Sequence, residues 1–345
     1  MKIAQLLMAV SCLFGAASGT LAGNSAQTDG AIVEQKPCAP NPISTYQQYV
    51  NAAKKRYAEE VADARQEGLP MTVPDNPAPY LLSKGDFERQ RNYAGFECRR
   101  IKYMSDGLRV VGFIWKPKKT EGRVFPLVIF NRGGELEFGK LTPWQRLGFY
   151  NFVANGFVVI ASQYRGNDGG EGREQFGGAD IHDVINLIPL AKSLGYVDMK
   201  NVFMLGWSRG GMTTYLALKN NIPVNAVAVG GGLTDLIALG KRRPAMVADV
   251  YKELIPDFDK RGDELMHDRS VVYWAEKISV PVLIMQGGSD WRVDPGSQAL
   301  AFAQKLQELG KPYELIVYAS DDHSISLHKA DSDRKIVEWF RRYMR

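Results

Sequence analysis

The chain alternates short apolar runs with longer stretches in which apolar residues recur every three or four positions. Short apolar runs predict buried strands, and the longer period predicts helices that pack one face against a core. From about residue 125 onward the two kinds alternate, which favours an α/β fold with a mostly parallel sheet covered by helices on both faces. We predict strands at 125–130, 157–163, 202–205, 224–229, 280–286 and 313–318, and helices near 144–154, 179–194, 212–218, 297–309 and 331–343.

The pattern differs before residue 125 and in one internal stretch. Residues 45–65 carry tyrosines and small apolar residues at helical spacing, so they predict an amphipathic helix, while 69–79 holds four prolines and predicts an extended connection. Residues 96–103 and 108–115 predict an antiparallel pair. An insertion at about 233–277 mixes apolar and charged residues and predicts a small helical cover, which either sets substrate choice or only packs on the sheet.

The amino terminus has the pattern of a secretory leader. Lys2 precedes an apolar stretch at 3–17, and small residues follow it up to Ala22. Cleavage is expected after Gly19 or Ala22, and a lipoprotein anchor on Cys12 is disfavoured because the residues before it fit that signal poorly. The apolar stretch is short for a retained anchor, and no later run reaches the roughly 18 apolar residues of a membrane span. We therefore expect a secreted or periplasmic protein.

These patterns divide the chain into a signal peptide, an extension and one large domain. We predict a leader at 1–22, an N-terminal helical extension and linker at 23–95, and a catalytic α/β domain at 96–345 that contains the insertion. The 345 residues, of which 45% are hydrophobic and 23% charged, suffice to bury one large core.

Charge and cysteine content exclude several classes of function. The net charge of +5 comes from interspersed groups with no basic groove interleaved with aromatic residues, so we expect no nucleic-acid partner. Without the leader only Cys38 and Cys98 remain, and they form either one disulfide or two unpaired buried thiols. No spacing of cysteines and histidines suggests zinc. We predict no metal and no cofactor, and the sequence gives no oligomeric state.

A serine box gives the first sign of chemistry. Residues 206–211 read Gly-Trp-Ser-Arg-Gly-Gly and lie between a predicted strand and a predicted helix. This is the context of a nucleophile elbow, in which a serine occupies a strained turn and its neighbours must be small. Ser208 is therefore the candidate nucleophile.

A serine hydroxyl needs a base, and that base needs an acid to orient it. Among four histidines, His323 fits best because it follows the strand at 313–318 in a polar loop, and His328 is the fallback. Asp290 directly follows the strand at 280–286 and is the candidate acid, with Asp294 as its main competitor. Two further aspartates are sequence neighbours of the histidine and are poorly placed to reach its ring, namely Asp321 and Asp322.

Several ordered motifs together resemble the catalytic domain of the prolyl oligopeptidase family of serine hydrolases. The similarity spans about residues 100–345 and implies the α/β-hydrolase fold. The motifs are Gln-Tyr-Arg-Gly at 163–166, the serine box, Asp-Arg-Ser at 268–270, Gln-Gly-Gly-Ser-Asp-Trp-Arg-Val at 286–293 and Asp-His at 322–323. Large members of this family carry a β-propeller, for which the residues before the first core strand leave no room. Any gating of the site is then expected from the N-terminal extension or the insertion.

The chain departs from this family in the loop that helps to hold the oxyanion. Relatives usually carry a histidine or tyrosine before paired glycines, whereas this chain has Asn131 and Arg132 before Gly133. Backbone donors of Arg209 and of Arg132 or Gly133 are expected to form the oxyanion hole. The Arg132 guanidinium either contributes charge to the site or is an exposed structural group. Trp207 and Trp291 either line a pocket or pack in the core.

The leading hypothesis is a secreted serine hydrolase that cleaves small peptide or ester substrates through an acyl-enzyme on Ser208. The resemblance favours a serine peptidase, and a carboxylesterase of the same fold is the first alternative. A noncatalytic binding protein of hydrolase fold is the second, because sequence alone does not show that the three side chains meet. An aspartate nucleophile of the dehalogenase type is disfavoured because a serine occupies the elbow.

Overall fold

A computed structural model of the protein describes residues 28–69, 81–142 and 145–345. The expected leader and nearly all of the proline-rich connection lie outside these residues. Within the described ranges none of the helices combines the length and the apolar content that a membrane crossing requires.

One twisted sheet organises the part of the chain that the structure describes. Its nine strands are β1 (Ile32–Pro37), β2 (Phe96–Ser105), β3 (Leu108–Pro117), β4 (Phe125–Asn131), β5 (Val158–Ser162), β6 (Val197–Trp207), β7 (Ala226–Gly230), β8 (Val282–Gly287) and β9 (Tyr313–Tyr318). They lie in the sheet in the order β1-β2-β3-β5-β4-β6-β7-β8-β9. The neighbours from β1 to β5 pair antiparallel, and the neighbours from β5 to β9 pair parallel. The mostly parallel sheet is thus confirmed.

Helices connect the strands and cover both faces of the sheet. They are α1 (Tyr46–Gln66), α2 (Lys84–Arg91), α3 (Gln145–Ala154), α4 (Ile181–Ile185), α5 (Leu187–Ser193), α6 (Arg209–Lys219), α7 (Leu236–Arg242), α8 (Lys252–Leu254), α9 (Phe258–Arg269), α10 (Ala301–Glu308) and α11 (Lys329–Arg342). Helices α7 to α9, with a π-helical turn at Met246–Tyr251, form the insertion, which is helical as expected.

The side chains of the central strands alternate between two hydrophobic layers. On β6, Val202 and Met204 belong to the layer under α4, α5, α6 and α10, whereas Phe203 and Leu205 belong to the layer under α3 and α11. Because successive side chains of a strand point to opposite faces, a strand buried on both faces is apolar at every position. The continuous apolar runs in the sequence reflect this double burial.

Two predicted helices begin or break differently from the pattern. The helix expected at 179–194 is interrupted at Asn186, which ends α4 and begins α5. Pro189 has no N–H to donate to the preceding turn, so the α-helical ladder cannot run through this point. The helix expected at 297–309 begins with a π-helical turn at Gly296–Leu300 before α10.

The N-terminal extension adds a strand that the sequence pattern did not predict. Strand β1 pairs with β2 at the sheet edge, and its mainly polar, exposed side chains give no strand signal. Cys38, directly after β1, forms a disulfide with Cys98 of β2, and the two Cα atoms lie 5.4 Å apart. Of the two states left open for these cysteines, the structure has the disulfide. The predicted helix at 45–65 is present as α1, which begins after the capping residue Thr45.

Candidate active site

Ser208 occupies the sharp turn between β6 and α6. Its backbone has φ 56° and ψ −125°, a strained conformation for a residue with a side chain. The turn is held because the Ser208 N–H donates to the carbonyl of Gly230 at 2.9 Å and its carbonyl accepts from Leu233 at 3.2 Å. A Cβ atom at Gly210 would collide with the carbonyl of Asn131, which explains a glycine two residues after the serine. The sequence box therefore folds as a strained strand-to-helix turn.

Asp290 lies in the loop after β8 and is 3% exposed. Its Oδ1 accepts the N–H groups of Arg292 and Val293, both at 2.9 Å. Its Oδ2 accepts from the Gln286 amide at 2.8 Å. Three donors from the protein therefore fix the carboxylate and leave one direction of Oδ2 for a further partner.

That further partner is His323, in the loop after β9. Its Nδ1 lies 2.7 Å from Oδ2 of Asp290. Because a carboxylate only accepts, Nδ1 carries the proton in this hydrogen bond, and in the neutral imidazole the lone pair is then on Nε2. The imidazole is largely buried, with 12% of its side chain exposed. The structure thus brings together two of the three predicted site residues in a direct hydrogen bond.

Ser208 is tied to the histidine through two intermediaries. The indole N–H of Trp207 donates to the carbonyl of His323 at 3.0 Å. Gly231, next to the residue that binds the Ser208 N–H, packs so closely on the imidazole that a Cβ there would lie 2.9 Å from Nδ1 of His323. Among the described residues no hydrogen bond joins the Ser208 hydroxyl to the imidazole. Ser208 and the His323–Asp290 pair therefore lie close together at one edge of the sheet, but the serine hydroxyl is not hydrogen-bonded to the imidazole.

The alternative acids and the alternative base have other partners. Asp294 accepts the N–H of Ser297 at 2.8 Å, and Arg242 lies 3.6 Å from its other oxygen. Asp321 accepts from His328 at 2.9 Å, which makes a second His–Asp pair on the far side of the loop. Asp322 accepts the N–H groups of Ser324 and Ser326 and so shapes the loop itself. None of these groups is hydrogen-bonded to the His323 ring.

The backbone of the loop after β4 lies against the nucleophile. A Cβ at Gly133 would lie 2.9 Å from the Ser208 Cβ and 3.6 Å from its Oγ. Arg209 opens α6, and its backbone N–H is one of those at the helix N-terminus that lack an intrahelical partner. The two predicted sources of backbone donors therefore flank Ser208.

The Arg132 side chain is not exposed, contrary to one of the two expectations for it. It is 1% exposed, its guanidinium donates hydrogen bonds to backbone carbonyls, and a carboxylate oxygen of Glu174 lies 3.8 Å from it. These carbonyls belong to Gly133, Leu136, Phe138 and Gln163. Burial is the largest cause that lowers the pKa of Arg132. Arg132 is thus a buried structural group that folds the loop around itself.

Arg209 also turns its side chain into the protein interior. Its guanidinium binds Glu174 at 2.8 Å, Asp180 at 2.9 Å and the carbonyl of Gly134 at 3.0 Å. Glu174 in turn accepts the N–H of Leu136 at 2.9 Å. All three charged side chains are almost fully buried. This network connects the first residue of α6 to the loop beside the nucleophile.

The N-terminal helix α1 covers the other side of the site. Glu60 binds the Arg292 guanidinium with contacts of 2.7 to 3.0 Å and accepts the indole N–H of Trp291 at 2.8 Å. Burial tends to raise the pKa of Glu60, but the bonds from Arg292 prevail and the pKa is lowered. His323 is close enough to contribute to that lowering. At the end of α1, Glu67 pairs with Arg243.

A cavity of about 490 Å³ lies between α1, α3 and α11. Trp207, Asp322 and Ser324, which are sequence neighbours of Ser208 and His323, form part of its wall. Trp207 thus lines a cavity, but none of Ser208, Asp290 and His323 is among the residues that line it, so a place for Trp207 in a substrate pocket stays a prediction. Trp291 is 3% exposed and packs in the interior, which is one of the two alternatives expected for it.

The charged groups that hold the loops were missed by sequence reasoning. Glu60, Glu174, Asp180 and Arg292 lie far apart along the chain, and a single sequence shows no sign of their pairing.

A serine on a strained strand-to-helix turn, with a buried His–Asp pair at the same edge of a parallel sheet, defines the class of α/β-hydrolase-fold serine hydrolases. The model of the prolyl oligopeptidase family matches residues 143–345. The chain belongs to this family and is a serine peptidase.

Two relatives of this chain differ greatly in length. The uncharacterized peptidase YtmA of Bacillus subtilis is 30% identical over 246 residues, which cover 71% of this chain and 92% of that protein. Acylamino-acid-releasing enzyme 1 of Oryza sativa is 26% identical over 253 residues, which cover 67% of this chain but 31% of the relative. The chain therefore matches a short relative almost throughout and a long relative over about a third of its length.

Solved structures confirm the fold. Acylaminoacyl peptidase of Pyrococcus horikoshii superposes with a TM-score of 0.63 at 22% identity, covering 76% of this chain and 44% of that chain. A puromycin-hydrolyzing peptidase of Mycobacterium tuberculosis gives a TM-score of 0.61 at 23% identity, covering 72% and 39%. The α/β-hydrolase fold predicted from the motifs is thus confirmed.

Proposed function

We propose that this protein is a secreted serine peptidase in which Ser208, His323 and Asp290 act as a catalytic triad. The observation that carries the proposal is the 2.7 Å hydrogen bond between His323 and Asp290 beside the strained Ser208 turn. Asp290 holds the imidazole in the tautomer that leaves Nε2 free to accept a proton. A hydrogen bond from the serine hydroxyl to Nε2 is required for catalysis, and such bonds often tighten only when substrate binds.

The reaction proceeds in two halves. The Ser208 oxygen attacks the scissile carbonyl while its proton passes to Nε2 of His323, and a tetrahedral intermediate forms. Its collapse breaks the C–N bond, and the imidazolium returns the proton to the leaving amine, which leaves an acyl-enzyme. Water then attacks the ester with His323 again as base, and the proton finally returns to the serine. No cofactor enters this balance.

The developing oxyanion is stabilised by backbone donors on the two sides of the nucleophile. The N–H of Arg209 and an N–H of the loop at Arg132 or Gly133 are the candidates, because both segments flank Ser208. Each such donor typically contributes about 2.7 to 4 kcal/mol to transition-state stabilisation. The Arg132 guanidinium has no part in this, since it is bound to four carbonyls.

Short peptides are the proposed substrates. The named relatives include acylamino-acid-releasing enzymes and dipeptidyl peptidases, whose names describe cleavage near a peptide end. Helix α1 binds the loop after β8 through Glu60 and Arg292, and its C-terminal end binds the insertion through Glu67 and Arg243. Amide bonds of short, blocked or free aminoacyl groups are therefore the first choice, with short acyl esters as the comparison.

Export from the cytoplasm is supported by two observations. The first residues have the composition of a secretory leader, and the Cys38–Cys98 disulfide is of a kind that persists in oxidising compartments. Expression of the full chain followed by N-terminal sequencing of the exported protein tests this. A mature terminus after Gly19 or Ala22 is expected, and retention of uncleaved protein in the cytoplasm contradicts it.

Labelling with a fluorophosphonate probe tests the triad. The wild-type protein is expected to react at Ser208 and to cleave aminoacyl 4-methylcoumarin amides, while Ser208→Ala loses both activities. Specificity constants for matched amides and esters then separate a peptidase from an esterase. A folded wild-type protein that does not react with the probe would instead be a noncatalytic member of the fold.

A further inference from the structure

One carboxylate beside the nucleophile is not used by the mechanism described above. Glu135 follows the Gly133–Gly134 pair, and two residues of chain reach at most about 7 Å, so its Cα lies close to the segment that touches Ser208. The residues on both sides of it are fixed. The Gly134 carbonyl accepts from Arg209 at 3.0 Å, and the Leu136 N–H donates to Glu174 at 2.9 Å. The backbone of Glu135 is therefore held in place from two directions.

The Glu135 carboxylate has no partner among the hydrogen bonds and ion pairs of the described residues. It is partly buried, and this burial raises its pKa although Arg209, Arg132 and Arg243 lie near enough to oppose the rise. Those three cations are bound elsewhere. Arg209 pairs with Glu174 and Asp180, Arg132 binds carbonyls, and Arg243 binds Glu67.

Glu135 also lies near the insertion. Glu135 interacts electrostatically with Arg243 of the insertion and contributes to the raised pKa of the buried Tyr251, whose largest cause is its own burial. Arg243 and Tyr251 belong to the segment after α7, so Glu135 lies near this part of the insertion.

A partly desolvated carboxylate without a donor costs free energy that a bound cation or N–H group can recover. The neighbouring carboxylates Glu60, Glu67, Glu174 and Asp180 already have arginine partners. We propose that Glu135 is a specificity-determining residue that binds a cationic nitrogen of the substrate next to the scissile bond. The nitrogen belongs either to a free α-amino group or to a lysine or arginine side chain. This inference rests on the proposed function, since it assigns a subsite of the same active site.

Matched coumarin amides that differ only in charge test the inference and separate the two sources of the cation. Alanyl against N-acetylalanyl amide measures recognition of an α-amino group. N-acetyl-lysyl against N-acetyl-norleucyl amide measures recognition of a side-chain cation. The variants are Glu135→Gln, which keeps shape and removes charge, and Glu137→Gln as control. Glu137 lies on the same loop but is exposed and pairs with Lys140.

We expect the wild type to cleave the cationic member of one pair with a kcat/KM at least about tenfold higher, as a charge-assisted contact allows. Glu135→Gln reduces that ratio to near one, mainly through KM, while Glu137→Gln and the rate of fluorophosphonate labelling keep their wild-type values. A wild type without cation preference in either pair overturns the inference, as does a ratio unchanged in Glu135→Gln. If the wild-type protein still reacts with the fluorophosphonate probe, such a result does not contradict the proposed catalytic triad. If it neither labels nor cleaves, both proposals fail.

Discussion

The Nδ1 atom of His323 and the Oδ2 atom of Asp290 lie 2.7 Å apart, although 33 residues separate them in the chain. Three other donors hold the same carboxylate, from Gln286, Arg292 and Val293. Because these bonds leave Asp290 no freedom to rotate, they also fix the plane and the tautomer of the imidazole. The competing Asp294 is four residues away and belongs to a different hydrogen-bonded turn.

Replacing Asp290 by asparagine is expected to lower kcat by about 10⁴-fold, because the amide no longer holds the reactive tautomer. Asp294→Asn is the matched control and is expected to keep near wild-type activity. Steady-state kinetics on one amide substrate, with thermal unfolding to check the fold, measures the difference. Equal losses in both variants, or no loss in Asp290→Asn, would show that the His–Asp pair is not part of catalysis.

Gly133→Ala is expected to impair catalysis without unfolding the protein. The new methyl group would lie 2.9 Å from the Ser208 Cβ, so either the nucleophile or the loop beside it must shift. A misplacement of about 1 Å in an active site costs about 10²-fold in kcat. Gly148→Ala, in α3 with open space around its Cα, serves as the control and should retain activity. Full activity in Gly133→Ala would show that the substrate carbonyl does not bind next to this loop.

Arg132→Ala separates a structural from a substrate-binding role. Its loss leaves several carbonyls without donors, and each buried unsatisfied group costs about 1 to 3 kcal/mol. We expect a lower Tm and a kcat/KM reduced by the same factor for neutral and acidic substrates, with no rescue by Arg132→Lys, which lacks the planar fork. A selective loss with acidic substrates would instead place the guanidinium in the site.

The contact between α1 and the sheet edge is expected to weaken in acid. The pKa of Glu60 is lowered in the folded protein, so the unfolded chain takes up its proton at a higher pH than the folded one. The stabilisation is therefore complete above the unfolded value of about 4.3 and is lost as the pH falls through the folded value. Denaturant unfolding between about pH 3 and 7 should show this loss in the wild type but less of it in Glu60→Gln.

A control for this pH dependence lies one residue away. Glu59 is exposed and lies 3.8 Å from Lys55 on the same helix, without contact to Arg292. Glu59→Gln is expected to keep the wild-type pH profile. If the profiles of Glu59→Gln and Glu60→Gln coincide, the Glu60–Arg292 pair does not account for the acid sensitivity.

Removal of the disulfide is expected to destabilise the protein without changing its chemistry. Cys38 and Cys98 are 60 residues apart, and closing a loop of that length stabilises a fold by about 4 kcal/mol in the chain-entropy model. Cys98→Ser should lower the free energy of unfolding by up to this amount and leave kcat/KM unchanged. Cys38→Ser should have the same effect, and the double variant should show no further loss. Additive losses would mean that the two thiols act separately.

Much of the fold could be predicted because each buried strand is a recognisable run of apolar residues in the sequence. The predicted runs within β4 to β8 are almost entirely apolar since both sheet faces are covered there, whereas β9 lies at the sheet edge and is only partly buried. All six predicted positions overlap the observed strands. Strand β1 gave no signal because an exposed edge strand needs no apolar face. Helices α4 and α5 were predicted as one, since a helical period continues through the break at Asn186.

The order of residues along the chain is enough to predict where the chemistry-bearing residues lie relative to the strands. Ser208, Asp290 and His323 each follow an apolar run, and parallel strands bring their carboxyl ends to one edge. The three-dimensional structure is needed to show which aspartate binds His323, where the Arg132 and Arg209 guanidinium groups bind, and that the Glu135 carboxylate lacks a partner among the described residues. Apolar periodicity is a local property of the chain. Hydrogen bonds and ion pairs, in contrast, depend on distances and burial between segments that only folding brings together.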